Sequence, residues 1–232
     1  MESPKKSLPA LTGREKNIGL AYLIFQYAFL PVLLQLVGNA FSIGNSETLY
    51  NFLYFSINFV CVITIFSKFL KKSALRAKRF YSDVLLSIAM GFGVFWLCSS
   101  LLHGVTQLLF PEFVNLNDSS LVDIWGDYPV LLFVSTVILA PVAEEVFHRG
   151  LIFGWLQEKN VWIAYILSAL LFSTIHVVQY IGYYSPLHLL IALVQYLPAG
   201  FVFAWVYQRS GCILAPIAIH ACNNLLAILA MR

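Results

Sequence analysis

Two adjacent carboxylates, a histidine and an arginine interrupt one apolar stretch of the chain. They are Glu144, Glu145, His148 and Arg149, and they lie between the apolar runs 130–143 and 151–156. An ionised side chain near the centre of a bilayer costs roughly 2.5–3.5 kcal/mol on insertion scales, so it needs a functional or structural reason. Carboxylates and histidines are also the usual general bases of enzymes. We therefore interpret this stretch as a functional site.

Further polar residues fall at a similar depth in two other apolar segments. With a rise of 1.5 Å per helical residue, Glu145 lies roughly 18 Å from the cytoplasmic end of its segment and His176 roughly 22 Å into the next one. His220 and Asn224 lie roughly 12 and 18 Å into the last segment, within a hydrocarbon layer about 30 Å thick. The pattern predicts that three helices bring Glu, His, His and Asn to one level.

Helical spacing predicts that the two carboxylates face different directions and have different partners. Glu145 and Arg149 are four residues apart and are expected to form an ion pair. Glu144 points about 100° away from Glu145, which leaves its carboxylate available for chemistry. Pro141 cannot donate a backbone hydrogen bond, and we expect it to kink the helix and open room for water.

A carboxylate, two histidines and an asparagine in a wet cavity are suited to hydrolysis. Glu144 is predicted to act as the general base, with His176 helping to hold the attacking water. His220 and Asn224 are four residues apart on one helical face, and both are predicted to donate hydrogen bonds to the oxyanion. Gln179 and Gln195 are further candidates for the cavity wall.

The composition shows that these residues belong to an integral membrane protein. Of the 232 residues, 60% are hydrophobic and 11% are charged, whereas a soluble domain has about 25% charged residues. The net charge of +3 reflects membrane topology, and no nucleic-acid partner is expected. The lipid bilayer is the first partner that the sequence predicts.

The apolar segments predict an all-α fold, a polytopic bundle of about seven transmembrane helices around a polar intramembrane catalytic cavity. The predicted spans are about 18–37, 49–70, 84–110, 130–156, 161–180, 186–207 and 212–231. We divide the chain into a cytoplasmic N-terminal segment (1–16), supporting transmembrane helices (17–127) and a core that carries the candidate catalytic residues (128–232).

Charged residues predict the orientation in the cell membrane. Residues 71–79 form the densest basic run, whereas the loop 111–129 contains four acidic residues and no Lys or Arg. Because basic loops stay on the cytoplasmic side, the N-terminus and 71–79 are expected to be cytoplasmic.

Metal binding is the first alternative chemistry. Glu144, His148, His176 and His220 are side-chain types that ligate zinc, although no HExxH pair is present. We expect neither a metal nor another cofactor, and we assign His148 a structural or cavity-lining role. The four cysteines show no metal-like spacing and are interpreted as buried packing residues.

Three short motifs resemble those of a known family. Residues 144–150 resemble the EExxxR motif, residues 172–176 the FxxxH motif and residues 220–224 the HxxxN motif of the CPBP family. This family includes the type II CAAX prenyl proteases and bacterial relatives that process bacteriocins or confer immunity to them. The resemblance covers about residues 128–232.

The resemblance implies a glutamate-dependent intramembrane endopeptidase that cleaves a membrane-proximal or prenylated-type peptide. In the matching positions Glu144 and His176 activate water, His220 and Asn224 form the oxyanion hole, and Glu145 and Arg149 support them. Two alternatives stay open. One is a zinc-dependent membrane protease, and the other is a non-enzymatic immunity or scaffold protein that binds a peptide or a sensor kinase. The sequence leaves the substrate and the oligomeric state open.

Overall fold

The fold is entirely helical over the residues that the structure describes. This computed structural model describes residues 8–40, 46–115 and 128–230, and within them it has nine helices and no β-strand. The helices are α1 (Gly13–Ala28), α2 (Leu30–Ala40), α3 (Glu47–Ile65), α4 (Ser67–Arg79), α5 (Tyr81–Leu109), α6 (Pro129–Leu156), α7 (Val161–Ile175), α8 (Pro186–Ser210) and α9 (Leu214–Ala230). Most of the acidic loop 111–129 lies outside the described residues.

Several of these helices can cross a bilayer, although fewer reach full length than the seven expected. The helices α3, α5, α6 and α8 are long and apolar enough, and the pair α1 and α2, bent by 48°, can form a fifth span. Helices α7 and α9 are apolar but only 15 and 17 residues long. The chain is therefore a multi-pass membrane protein in which two of the predicted spans are short helices.

The end of α7 differs most from the prediction. The apolar run continues to Tyr180, but the helix ends at Ile175 and a 3₁₀ turn follows over Val178–Tyr180. Non-helical backbone at membrane depth is tolerated where it lines a cavity, and apolar composition alone does not distinguish it from helix. His176 consequently lies at the C-terminus of α7 rather than within a longer helix.

The N-terminal helix is joined to the basic helix α4 through Glu15. Thr12 and Glu15 form a capping box at the start of α1, in which the Glu15 Oε2 atom accepts from the Thr12 backbone N–H at 2.8 Å. The other oxygen, Oε1, accepts from the Phe69 backbone N–H in the first turn of α4 at 2.8 Å. One buried carboxylate therefore satisfies free donors of two helix N-termini.

Helix α6 contains two π-helical stretches, Val134–Leu139 and Val146–Phe153, on either side of the α-helical residues Ala140–Glu145. Short π-helical stretches within α-helices often occur at functional sites. They shift the backbone hydrogen bonds and so free carbonyl groups for side chains. For example, the Ser168 hydroxyl donates to the His148 carbonyl at 2.9 Å and joins α7 to α6.

Small residues bring α7 and α8 close together behind the site. A Cβ atom placed on Gly200 would lie 2.7 Å from the Ala169 Cβ, so only glycine fits at this crossing. A buried cluster that includes Phe172, Phe203 and Ile219 packs beside it. This packing fixes the helices that carry the polar motifs.

Candidate functional site

Three of the sequence-predicted residues meet at the carboxylate of Glu144. Its Oε2 atom lies 3.7 Å from His176 Nε2 and 3.9 Å from His220 Nε2. This oxygen is buried and accepts no hydrogen bond from the described residues. Helices α6 and α9 and the end of α7 thus place one carboxylate oxygen between two imidazole rings, at distances that a shared small molecule can bridge.

The orientation of His176 is fixed by its own helix. Its Nδ1 atom lies 2.8 Å from the Phe172 carbonyl oxygen, which can only accept, so Nδ1 carries the hydrogen. In the neutral ring, Nε2 is then an acceptor that faces Glu144. The imidazole is also held between the rings of Phe172 and Tyr196, each with its centroid 4.6 Å away.

The second carboxylate is occupied by structural partners. Glu145 Oε1 accepts from Arg149 Nη1 at 3.0 Å and lies 2.9 Å from His220 Nδ1. The side chains of Glu145 and Arg149 are fully buried. The expected ion pair is therefore present, and it also orients the ring of His220.

Arg149 is held from several directions. Its Nη2 atom donates to the carbonyl oxygens of Ala199 and Gly200 in α8 at 3.0 and 3.2 Å. Its guanidinium lies over the Phe172 ring, 4.4 Å from the ring centroid. A buried cation with these partners links α6 to α7 and α8.

Asn224 is positioned by the π-helical stretch and by Pro141. The Ala140 backbone N–H bonds to the Ser135 carbonyl, five residues back, so the next donor along the helix would bond to the Thr136 carbonyl. Pro141 has no N–H. The Thr136 carbonyl instead accepts from Asn224 Nδ2 at 2.8 Å. The proline three residues before the EExxxR motif thus leaves free the Thr136 carbonyl, which holds the asparagine of the HxxxN motif.

All four predicted catalytic residues line one cavity of about 1580 Å³. Asn224 lines the same cavity as Glu144, His176 and His220, and its side-chain amide donates to the Thr136 carbonyl. Gln179 and Gln195 also line this cavity, whereas Glu145 and Arg149 lie behind its wall.

The sequence analysis overlooked one wall of the cavity. Tyr50, Tyr54 and Asn58 recur every four residues on α3, and all three line the cavity, as do Gln26 and Tyr27 of α1. The repeat of polar residues at helical spacing was the available signal. From the sequence, residues 17–127 are assigned to supporting helices because the candidate catalytic residues all lie in 128–232.

The remaining candidates have structural positions. His148 is buried, and its Nδ1 atom lies 2.8 Å from the Glu144 carbonyl oxygen. Among the described residues, no group of three or more His, Cys, Asp or Glu side chains is arranged to hold a metal ion. Of the cysteines, Cys212 is buried, Cys61 is partly buried, and Cys98 and Cys222 are exposed, so the expectation that all four are buried is wrong for two of them.

Comparisons with known proteins agree with the motifs. A family model described as "Type II CAAX prenyl endopeptidase Rce1-like" matches residues 126–226. The chain is 31% identical over 114 residues to the protein named "Putative membrane peptidase YdiL" of Bacillus subtilis, which covers 49% of this chain and 42% of that protein. It is 29% identical over 110 residues to "UPF0177 protein YxdF" of Lactococcus lactis, covering 47% and 55%.

The chain matches about half the length of these curated relatives. No solved structure matches it. The matched region 126–226 contains the EExxxR, FxxxH and HxxxN motifs, whose side chains meet at the Glu144 carboxylate and along its cavity. Residues 126–226 are thus similar to the Rce1-like type II CAAX prenyl endopeptidases, and this similarity supports the resemblance to the CPBP family that the three motifs indicate.

Proposed function

We propose that this protein is an intramembrane endopeptidase that uses Glu144 as its general base. The observation that carries the proposal is the placement of Glu144 Oε2 between His176 Nε2 and His220 Nε2, at 3.7 and 3.9 Å, on the wall of the cavity. The similarity of residues 126–226 to type II CAAX prenyl endopeptidases supports the same reaction.

The first step is activation of water by Glu144 and His176. A water molecule between them can donate one hydrogen to the Glu144 carboxylate and the other to His176 Nε2, since both atoms are acceptors. A lone pair of the water then points into the cavity, toward a substrate carbonyl carbon. Glu144 takes the proton as the oxygen–carbon bond forms, and the carbonyl π electrons move onto the oxygen.

Stabilisation of the resulting oxyanion is assigned to His220 and Asn224. Because His220 Nδ1 faces the Glu145 carboxylate, its Nε2 atom can donate only when the ring is an imidazolium. The Asn224 amide has a second hydrogen besides the one given to Thr136. When the tetrahedral intermediate collapses, the carbon–nitrogen bond breaks and Glu144 returns its proton to the leaving amine.

The location of the protein and the roles of its two parts follow from the same proposal. We place the protein in the cell membrane with its N-terminus in the cytoplasm, with residues 128–232 as the protease core and 17–127 as the helices that complete the cavity. Its partner is a peptide or protein substrate in or near the bilayer. The mechanism requires no cofactor.

The test is cleavage of a quenched-fluorescent peptide library by the purified full-length protein in detergent. Glu144→Gln removes the base while keeping the shape of the side chain, and we expect kcat/KM to fall by about 10²–10⁴, the usual contribution of a general base. Glu158→Gln is the matched control, because it makes the same change at an exposed position outside the cavity and should leave the rate unchanged.

Two other outcomes identify the alternatives. Loss of wild-type activity after chelator treatment, with recovery on adding zinc, would overturn the metal-free mechanism. Peptide binding without cleavage by the wild type, unaffected by Glu144→Gln, would instead indicate the immunity or scaffold function.

A further inference from the structure

We propose that the exposed face of helix α4 binds the headgroups of anionic phospholipids. This surface, which we call the α4 basic face, comprises five exposed cations and one exposed leucine: Lys68, Lys71, Lys72, Lys78, Arg79 and Leu75. Lipid binding at this face is independent of the proposed protease function, because it takes place outside the cavity.

Helical spacing gathers these side chains on one side of α4. Of its 13 residues, six are Lys or Arg and none is acidic. At 3.6 residues per turn, Lys68, Lys72 and Arg79 lie within about 40° of one another around the helix axis. The other two cations lie on the far side of Leu75, which is 59% exposed. The result is a continuous basic surface with an apolar residue in its middle.

The opposite side of α4 is fixed to the bundle. Phe69 is fully buried in the core. The Ser73 hydroxyl oxygen accepts from the Ile213 backbone N–H at 2.8 Å, and Arg76 Nε donates to the Ser210 carbonyl at 3.0 Å. Because the helix is already ordered by these contacts, binding a headgroup costs little backbone entropy.

The same contacts place α4 across one end of the bundle. Its first turn meets the start of α1, where Glu15 accepts from the Phe69 N–H, and its later turns meet the end of α8 and the residues before α9. A helix that contacts several helix ends runs across them, and 13 residues extend for only about 20 Å. The α4 basic face therefore points away from the bundle at the level where its helices end.

Tryptophan side chains mark this end as the membrane surface. The ammonium groups of Lys16 and Lys159 lie 5.1 and 5.2 Å from the centroid of the Trp155 ring. The Arg209 guanidinium lies 5.9 Å from the centroid of the Trp205 ring, in the last turns of α8. Because tryptophan is enriched at the level of the lipid headgroups, the α4 basic face lies at headgroup depth.

An anionic phospholipid matches both the charge and the apolar centre of this face. None of the five cations forms an ion pair with a carboxylate in the part of the chain that the structure describes. Basic side chains beside a membrane attract its anionic headgroups, and this attraction falls off within a Debye length. Leu75 can insert at the boundary between headgroups and acyl chains. A nucleic acid or a free phosphate would offer Leu75 no apolar partner.

The test measures which lipid lies next to Leu75. The full-length protein carries Leu75→Cys, labelled with a fluorescent maleimide. Its buried Cys212 is kept, and the other cysteines are replaced by serine. The protein is reconstituted in phosphatidylcholine vesicles that contain an equal fraction of either brominated phosphatidylglycerol or brominated phosphatidylcholine. Because bromine quenches only a fluorophore beside it, quenching reports the lipid composition at α4.

We expect the apparent association constant of the quenching lipid to be about fivefold higher for phosphatidylglycerol, the scale of contact with one basic side chain. Raising the salt concentration from about 0.1 M to about 1 M should bring the ratio of the two constants close to one, because the Debye length falls from about 10 Å to about 3 Å. Equal quenching by the two lipids at low salt, or a preference that salt does not change, would overturn the inference.

A triple variant tests the assignment to α4. Lys68→Gln/Lys71→Gln/Lys78→Gln removes three exposed charges of the face and leaves its buried side unchanged, so the ratio should fall close to one. Lys68→Arg/Lys71→Arg/Lys78→Arg keeps the charges and should keep the wild-type ratio. A glutamine variant with the wild-type ratio would show that the α4 basic face does not bind the lipid.

The matched control removes the same number of charges outside α4. Arg14→Gln/Lys159→Gln/Arg209→Gln changes three exposed cations at the same end of the bundle and should keep the wild-type ratio. An equal loss of preference in this control would show that net charge, and not the α4 basic face, attracts the lipid.

Discussion

At the scale of single residues, two neighbouring glutamates have different surroundings. Glu144 faces the cavity with one oxygen near two histidine rings, whereas Glu145 is fully buried and shared by Arg149 and His220. A buried ion pair is not strongly stabilising in itself, but removing one partner leaves an uncompensated charge. The Glu145 carboxylate therefore contributes both to stability, through Arg149, and to the orientation of His220.

This arrangement predicts a difference between stability and activity. Arg149→Met should destabilise the protein by about 3–5 kcal/mol, because the Glu145 carboxylate stays buried without its cation. The double variant Glu145→Leu/Arg149→Met should recover most of that stability and yet stay inactive, because His220 loses its carboxylate partner. Thermal unfolding in detergent and peptide cleavage measure the two effects.

Lys78→Met is the control, since it removes an exposed cation. Its stability should stay within about 0.5 kcal/mol of the wild type. A double variant as unstable as Arg149→Met alone would show that the buried charge is not the cause of the loss.

At the scale of elements, α6 and α9 are joined where a backbone hydrogen bond within α6 is missing and a side chain of α9 replaces it. The π-helical stretch shifts the bonding register by one residue, Pro141 has no donor for the Thr136 carbonyl, and Asn224 takes its place. The sequence predicts that Pro141 kinks the helix and opens space for water. Its contribution in the structure is a free carbonyl that orients the predicted oxyanion donor.

Pro141→Ala tests this coupling. The new backbone N–H would compete with Asn224 for the Thr136 carbonyl, and alanine is about 3 kcal/mol more favourable than proline inside a helix. We expect stability to stay equal or to rise, while kcat falls about tenfold, the scale of losing one oriented oxyanion donor in part. Steady-state kinetics and thermal unfolding give the two readouts.

Pro186→Ala is the matched control, because Pro186 occupies the first turn of α8, where its missing N–H leaves no helical carbonyl unpaired. It should leave kcat unchanged. A Pro141→Ala variant with wild-type kcat would show that Asn224 does not depend on the free carbonyl.

At the scale of the whole molecule, basic residues gather at one end of the bundle. Lys16 and Lys159 both lie over the Trp155 ring, and Lys72 donates to the Ala10 carbonyl beside the exposed basic face of α4. Helix α7 begins near this end and runs toward the turn that contains Tyr183. From the positive-inside rule we predict that the basic end lies in the cytoplasm and Tyr183 on the opposite side.

Site-directed labelling tests this orientation. In a cysteine-free background, Lys71→Cys should react with a membrane-impermeant maleimide only after the cells are opened, whereas Tyr183→Cys should react in intact cells. Both positions are exposed, which makes them comparable. The reverse pattern would show that the basic end lies outside the cell and that the predicted topology is inverted.

The sequence alone determined the class of protein and the residue types of the site. Only helices or closed barrels can span a bilayer. The apolar runs are about 20 residues long, which is the length of a transmembrane helix and not of a barrel strand, so hydropathy predicted the all-helical membrane fold. Glu144, His176, His220 and Asn224 could be selected because polar groups in apolar segments are rare. The ion pair of Glu145 and Arg149 followed from helical spacing, since residues four apart share a face.

Only the tertiary structure decided how those residues are connected. Hydropathy does not reveal that α7 ends at Ile175, that Glu145 lies beside His220 75 residues away, or that the Thr136 carbonyl is free for Asn224. These contacts depend on helix packing and on a local shift to π-helical bonding. The tyrosine and carboxamide wall from α1 and α3 likewise becomes part of the site only when those helices pack against α6, because a neutral polar side chain carries no local signal of what it faces.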